Sequence, residues 1–388
     1  MSVSPKPTRS TEEIHAIWWT THESGFYDDS GGSIQRPTTA IRSVPNRHPI
    51  VTDCSSRPRQ YDLVGIQTAS GAPRTAYGAI IRQLDAYYQF IHPCFPILPP
   101  STTSRRSPTC IVDRTSSWFE LPYRPRSCLS LAIASILALI PHPLDPEPTS
   151  KVSRARRLIY SRVFAQLSIL RIDVDCGSGS TTTTTTTTTW PHGEPPFHPD
   201  LPVDLEKIDA LLILSIYEYI HRGNFVKMQY RAGQALTMAL DRGLNCLQEE
   251  EDDEERRFVE AKRRTWWMTY YCVLQSYMLG NSLPSIMNEI DLGTPYPHFS
   301  ADPNGWAVLI ETQQALTMTD QFSLDLDRRL RTESQLPFMH PRLNDISHKI
   351  HTLLTQSQYM PAGSPDFTTS EYDAALTIRI ISRIKLFR

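Results

Sequence analysis

The chain has 388 residues, which at about 150 residues per domain predicts two or three domains. Apolar residues are 40% and charged residues 21%, enough for a sizeable core, so disorder throughout is excluded. Lys plus Arg is 39 and Asp plus Glu is 41, a formal net charge of −2, so nucleic-acid contact would need a local basic patch.

Proline is high at 31 and glycine low at 16, which predicts long irregular stretches and argues against Gly-rich phosphate loops. The seven cysteines, Cys54, Cys94, Cys110, Cys128, Cys176, Cys246 and Cys272, are too widely spaced for a Cys-x-x-Cys site. Met1 to Pro7 has no apolar secretory core, and no run of eighteen apolar residues occurs. The expectation is a soluble protein of a reducing compartment with no membrane partner.

Residues 1–74 are polar and rich in Ser, Thr, Pro and Arg, and read as a mostly disordered arm. Within them Glu12 to Trp19 has a short helical face, and Trp18-Trp19 is either a docking motif or incidental. Ala76 to Phe90 predicts a helix, with Ile80, Leu84, Tyr87 and Tyr88 at three- and four-residue steps, stopped by Pro93 and Pro96. Cys128 to Ile140 is apolar nearly all round, as a buried helix is. Ser153 to Leu170 predicts an amphipathic helix with Leu158, Ile159, Val163, Leu167 and Leu170 inward. Nine threonines, Thr181 to Thr189, have no apolar face and predict a solvated insertion over 176–200.

The most regular part runs from Asp204 to Gly280. Asp204 is placed as the cap of a helix reaching Ile220, and Gly223 as its left-handed stop. A second helix spans Phe225 to Arg242, with Met228, Ala232, Ala235, Leu236 and Ala239 inward and Gly243 as its stop. Glu249 to Glu255 is a run of seven carboxylates, read as a solvated loop at a helix start. A third helix spans about Glu254 to Leu279 and ends at Gly280. Further helices are expected at about Trp306 to Thr332 and Pro341 to Ser357. No stretch alternates with period two, so the predicted fold is all-α.

Three segments carry a resemblance. Leu84 to Leu98 ends a helix in His92-Pro93-x-Phe95-Pro96-Ile-Leu. Ala210 to Leu244 holds Tyr217, the Gly223-Asn224 turn and a helix ending Ala239-Leu-Asp-Arg-Gly243-Leu. Glu260 to Trp267 holds Arg263-Arg264-x-Trp266-Trp267, followed by Leu279-Gly280 to Pro284 and by Ile290-Asp291 to Pro295. In order and spacing over Ala76 to Pro297 they resemble the fungal-specific transcription factor domain, the regulatory middle region of fungal zinc-cluster transcription factors. Ser382 to Leu386 resembles the start of a later helix of that family, and the end at Arg388 suggests truncation.

The resemblance implies a multi-helical regulatory domain over 75–300, with 301–388 as further helices of the same region. It implies a nuclear protein that regulates RNA polymerase II transcription and is not an enzyme. Its implied partners are a related factor, as homo- or heterodimer, and a small-molecule effector bound between helices. The family's DNA-binding module needs six close cysteines around two zinc ions, and residues 1–75 contain Cys54 alone. The expectation is therefore no cofactor in this chain and DNA contact only through a partner or a missing N-terminal module. The rival readings are an all-α magnesium-dependent prenyl-diphosphate enzyme using Asp252 and Asp253, and a non-functional fragment.

Individual residues carry paired readings. Arg263 or Arg264 either holds an anionic effector or acidic segment, or makes a structural ion pair beside packed tryptophans, with Glu218 as a candidate partner. His92 is either a metal ligand or pH switch, or a turn histidine with a backbone hydrogen bond. His348 and His351 share a helical face and are either a metal pair or solvated. Lys151 to Arg157 and Lys262 to Arg264 are either import or DNA-contact patches, or arginines covering outer helix faces.

Overall fold

The structure, a computed structural model, describes residues 83–100, 125–142, 145–177, 196–247, 253–280, 287, 289–331, 339–361 and 369–387. All lie within Arg74–Arg388. The N-terminal arm, Cys54, the Trp18-Trp19 pair, the polythreonine tract and Pro284 fall outside the described residues.

The elements are helical, and among the described residues no strand occurs. Helix α1 is described over 83–90. It is followed by α2 (Cys128–Leu137), α3 (Lys151–Gly177), α4 (Val203–Ile220), α5 (Phe225–Asp241), a 3-10 turn (Leu244–Cys246), α6 (Asp253–Gly280), α7 (Gly305–Arg331), α8 (Met339–Ser357) and α9 (Thr369–Leu386).

Helix α4 sits at the centre and packs on α2, α5 and α6. Its sequence explains this: Leu205, Ile208, Ala210 to Leu214 and Tyr217 are buried on every side, so no face is left for solvent. Helix α6 then packs on α7, and α7 carries α8 and α9. The α4–α5 corner is made by Gly223 at φ 57, a left-handed residue, and by Asn224, whose side chain accepts from Lys227 N at 3.0 Å. Gly243 at φ 64 turns the chain out of α5 in the same way.

Three expectations are corrected. Asp204 does not cap α4; Pro202 holds that position, and Asp204 lies in the first turn, paired with Arg242 at 3.2 Å. Helix α9 begins at Thr369, thirteen residues before Ser382, because Ala374, Ala375, Ile378 and Ile381 bury one continuous stripe. The inner face of α3 is the opposite of the predicted one. Ser161, Ala165, Ser168 and Ile172 are buried, and Ser168 Oγ donates to Cys128 O at 2.8 Å. These small side chains let α3 approach α2 closely, and Leu158, Ile159, Val163 and Leu170 are left exposed. Leu167 is half-buried.

Candidate functional site: a buried ionic lock

The turn after α1 is organised by one hydroxyl. Tyr87 Oη donates to Phe95 O at 3.0 Å and accepts from Ile97 N at 3.1 Å and Leu98 N at 3.2 Å. The prolines at 93 and 96 supply no N–H, so this segment cannot continue a helix and needs side-chain partners. Pro93, Phe95 and Pro96 are all buried by it. Tyr88 Oη donates to Pro99 O at 2.5 Å and meets His198 Nε2 at 3.0 Å.

His92 is fully buried in the same turn. Its Nε2 lies 3.1 Å from Glu371 Oε1 on α9, 279 residues away. The sequence reading favours a backbone bond for this ring; the ring bonds a carboxylate instead, because α9 folds back over the turn. Burial lowers the His92 pKa despite the pull of Glu371, so the ring is neutral and donates through Nε2.

Arg264 on α6 joins them. Its Nε donates to Glu260 Oε1 at 2.7 Å. Its Nη1 donates to Leu98 O at 3.1 Å and Glu371 Oε1 at 3.2 Å. Its Nη2 donates to His298 O at 3.1 Å and Glu371 Oε2 at 3.3 Å. A guanidinium has five N–H donors, and all five are engaged. The group also lies 5.3 Å from the centre of the Phe299 ring. Burial alone would raise the Glu371 carboxyl, but the Arg264 charge and the His92 bond outweigh it and hold the carboxyl at about 2. One carboxylate thus ties together the α1 turn, α6 and α9.

This geometry decides between the two readings of Arg264. No donor remains for an effector, so its role is an internal ion pair. Glu218 is not its partner; it pairs with Arg222 at 3.4 Å, one turn along the chain. Arg263 is half-buried, and its Nε has no hydrogen-bond partner among the described residues. The Lys262 to Arg264 group is therefore no outer-face patch, since Lys262 and Arg263 are half-buried and Arg264 is sealed. Trp266 is fully buried. Trp267 Nε1 donates to Pro295 O at 3.0 Å, and its ring packs 4.3 Å from Tyr296.

The remaining motif residues lie in α4, at the end of α6 and in the segment after it. Tyr217 is buried on α4. Asp291 is exposed, and its carbonyl accepts from Asn245 Nδ2 at 3.3 Å, next to the Gly243 turn. Gly280 is the last residue of α6.

Sequence reasoning missed three polar anchors. Arg379 on α9 grips Asp302 through two bonds of 2.5 and 2.7 Å and donates to Gln356 O at 2.8 Å. Lys385 donates to Gln275 at 2.6 Å and to Gln313, 4.8 Å from the centre of the Tyr271 ring. Asp209 on α4 accepts from Thr265 Oγ1 at 2.9 Å, and burial raises its carboxyl well above the usual range. For Arg379 and Lys385, charged residues punctuating the apolar stripe of α9 were the available signal.

Among the described residues no three His, Cys, Asp or Glu side chains are grouped to hold a metal ion. His348 and His351 are exposed on α8. No helix among the described residues is long and apolar enough to cross a membrane. A shallow cleft lies on α3, lined by Lys151, Val152, Ala155, Arg156, Ile159 and Tyr160.

The sequence model of the family described as fungal specific transcription factor domain matches residues 84–364. No curated protein and no solved structure matches the chain. The matched segment covers the α1 turn and α6, two of the three parts that the lock joins. The match is to a transcription factor domain and not to an enzyme family, which removes the prenyl-diphosphate reading.

Proposed function

The chain belongs to the fungal specific transcription factor domain family, and from that we propose that it acts in the nucleus as the regulatory module of a zinc-cluster-type factor. It would regulate RNA polymerase II transcription by binding a partner or an effector. DNA would be reached through a related factor or an N-terminal module, since residues 1–75 carry the single cysteine Cys54. The domain would run over 75–300, with 301–388 adding helices of the same region. The contact of Glu371 with His92 and Arg264 supports treating these parts together.

The observation that carries the reading is the family match together with the use of its motif residues. His92 and Arg264 are spent inside the lock, and Tyr217 and Trp266 are buried in the core. Regulation then falls to the outer faces of the helices.

A reporter assay tests this. The full chain is fused to a heterologous DNA-binding domain and imaged in a fungal host. The expected result is nuclear accumulation and a severalfold change in reporter output. Exclusion from the nucleus together with unchanged output would overturn the proposal.

A further inference from the structure

Four of the apolar residues that α3 turns away from α2 form an ordered row. Val152, Ile159, Val163 and Leu170 are 69%, 61%, 45% and 59% exposed. Their steps are seven, four and seven residues, which at about 100° per residue keeps all four within an arc of about 40°. At about 1.5 Å per residue the row runs about 27 Å along the helix. Single exposed apolar residues need no explanation, but a straight seam of four on one helix does.

Charge surrounds the seam asymmetrically. Lys151, Arg156 and Arg162 are exposed within about 100° of the seam, Arg154 is exposed on the far side of α3, and Asp173 is an exposed carboxylate. Arg157 is engaged by Asp145 at 3.3 Å. The other four cations have no ion-pair partner among the described residues. The cleft on this helix has the same two ingredients, Lys151 and Arg156 beside Val152 and Ile159.

We propose that the outer face of α3 is a docking surface for an acidic amphipathic helix of a partner protein. A seam with steps of four and seven residues fits a helix laid alongside, which fills it with its own apolar stripe. Carboxylates flanking that stripe would meet Lys151, Arg156 and Arg162 and steer the encounter. A second copy of α3 fits worse, because it sets the same cations against each other. A lipid surface also fits worse, because the opposite face of α3 is already held by α2 within the folded domain. The proposal names the kind of partner that the proposed function leaves open, and so rests on that reading.

The test uses the full chain and a synthetic 22-residue helical peptide with Leu and Ile along one stripe and Glu on both flanks. Titration calorimetry at low and at 0.5 M salt measures binding. Expected is a micromolar Kd, weakened at least fivefold by the salt. Ile159→Glu with Val163→Glu should weaken it at least tenfold, and Arg156→Gln with Arg162→Gln severalfold with a flatter salt dependence. All four positions are exposed, so unchanged melting temperatures are expected of both variants. Equal binding of a peptide with Lys flanks overturns the proposal. So does binding to phosphatidylserine vesicles in place of the peptide, or self-association in sedimentation that the Glu variants abolish. The readout is binding in solution, so its failure is distinct from failure of the reporter assay.

Discussion

Replacing Glu371 with Gln removes the charge that neutralises Arg264 and keeps the side-chain shape. The magnitude follows from the carboxyl itself. Held at about 2 against an ordinary value of about 4.3, it contributes about 3 kcal/mol to stability at neutral pH. Loss of one partner from a buried pair costs about 3–5 kcal/mol. Glu260 still holds Nε at 2.7 Å, and two carbonyls hold the other nitrogens, which places the loss at the lower end, about 3 kcal/mol. The sign is fixed by the direction of the shift. A carboxyl with a depressed folded pKa gives stability that is present above about 4.3 and is lost as pH falls toward about 2. Denaturant unfolding from pH 7 to pH 2.5 reads both effects. The wild type should lose stability steeply below pH 4.5, and Glu371→Gln should be weaker at pH 7 with a flatter acid limb. A variant within 1 kcal/mol of wild type at pH 7, with the same acid limb, would refute the lock as an energetic unit.

Other substitutions test separate parts of the fold. Asp209 is a carboxyl whose folded pKa is raised by burial, so its stability contribution falls as pH rises above about 3.9. Asp209→Asn keeps an acceptor for Thr265 and should match or exceed wild-type stability at pH 8 in thermal melts, whereas a loss above 2 kcal/mol would show an ionised Asp209. At the α4–α5 corner, Asn224→Ala should cost about 1 kcal/mol through loss of the cap. Gly223→Ala should cost about 1–2 kcal/mol from backbone strain alone, because a Cβ there meets nothing within 4 Å. Additive losses in the double variant would separate cap from backbone; a Gly223→Ala variant as stable as wild type would contradict the left-handed assignment.

The middle of the chain was legible because its signals are local. Phe225–Asp241 has its buried residues at Met228, Ala232, Ala235, Leu236 and Ala239, all at helical spacing, and both glycine stops adopt positive φ. Helix α3 misled for a physical reason. Reading the large apolar side chains as inward assumes that burial follows size, whereas close approach to α2 demands small ones, and Ser161, Ala165 and Ser168 supply them. The lock was illegible in another way. The partner of His92 is 279 residues distant, and a spacing rule sees only neighbours along the chain.

Helix α9 shows why the polar residues matter beyond their number. It meets α6 through long side chains at two levels, Arg264 with Glu371 and Gln275 with Lys385. Arg264 precedes Gln275 in α6 as Glu371 precedes Lys385 in α9, so the two helices run parallel, and slippage by one turn breaks both contacts together. Arg379, between them, grips Asp302 in the turn that leads into α7. An apolar stripe alone accepts several registers, since one Ile replaces another at little cost. Three buried polar grips accept one, because each misplaced charge would remain unpaired in the interior. The register of α9 in turn sets where Glu371 stands, and with it whether His92 and Arg264 find their partner. The turn after α1 therefore has its Glu371 partner only where α9 is docked in this register.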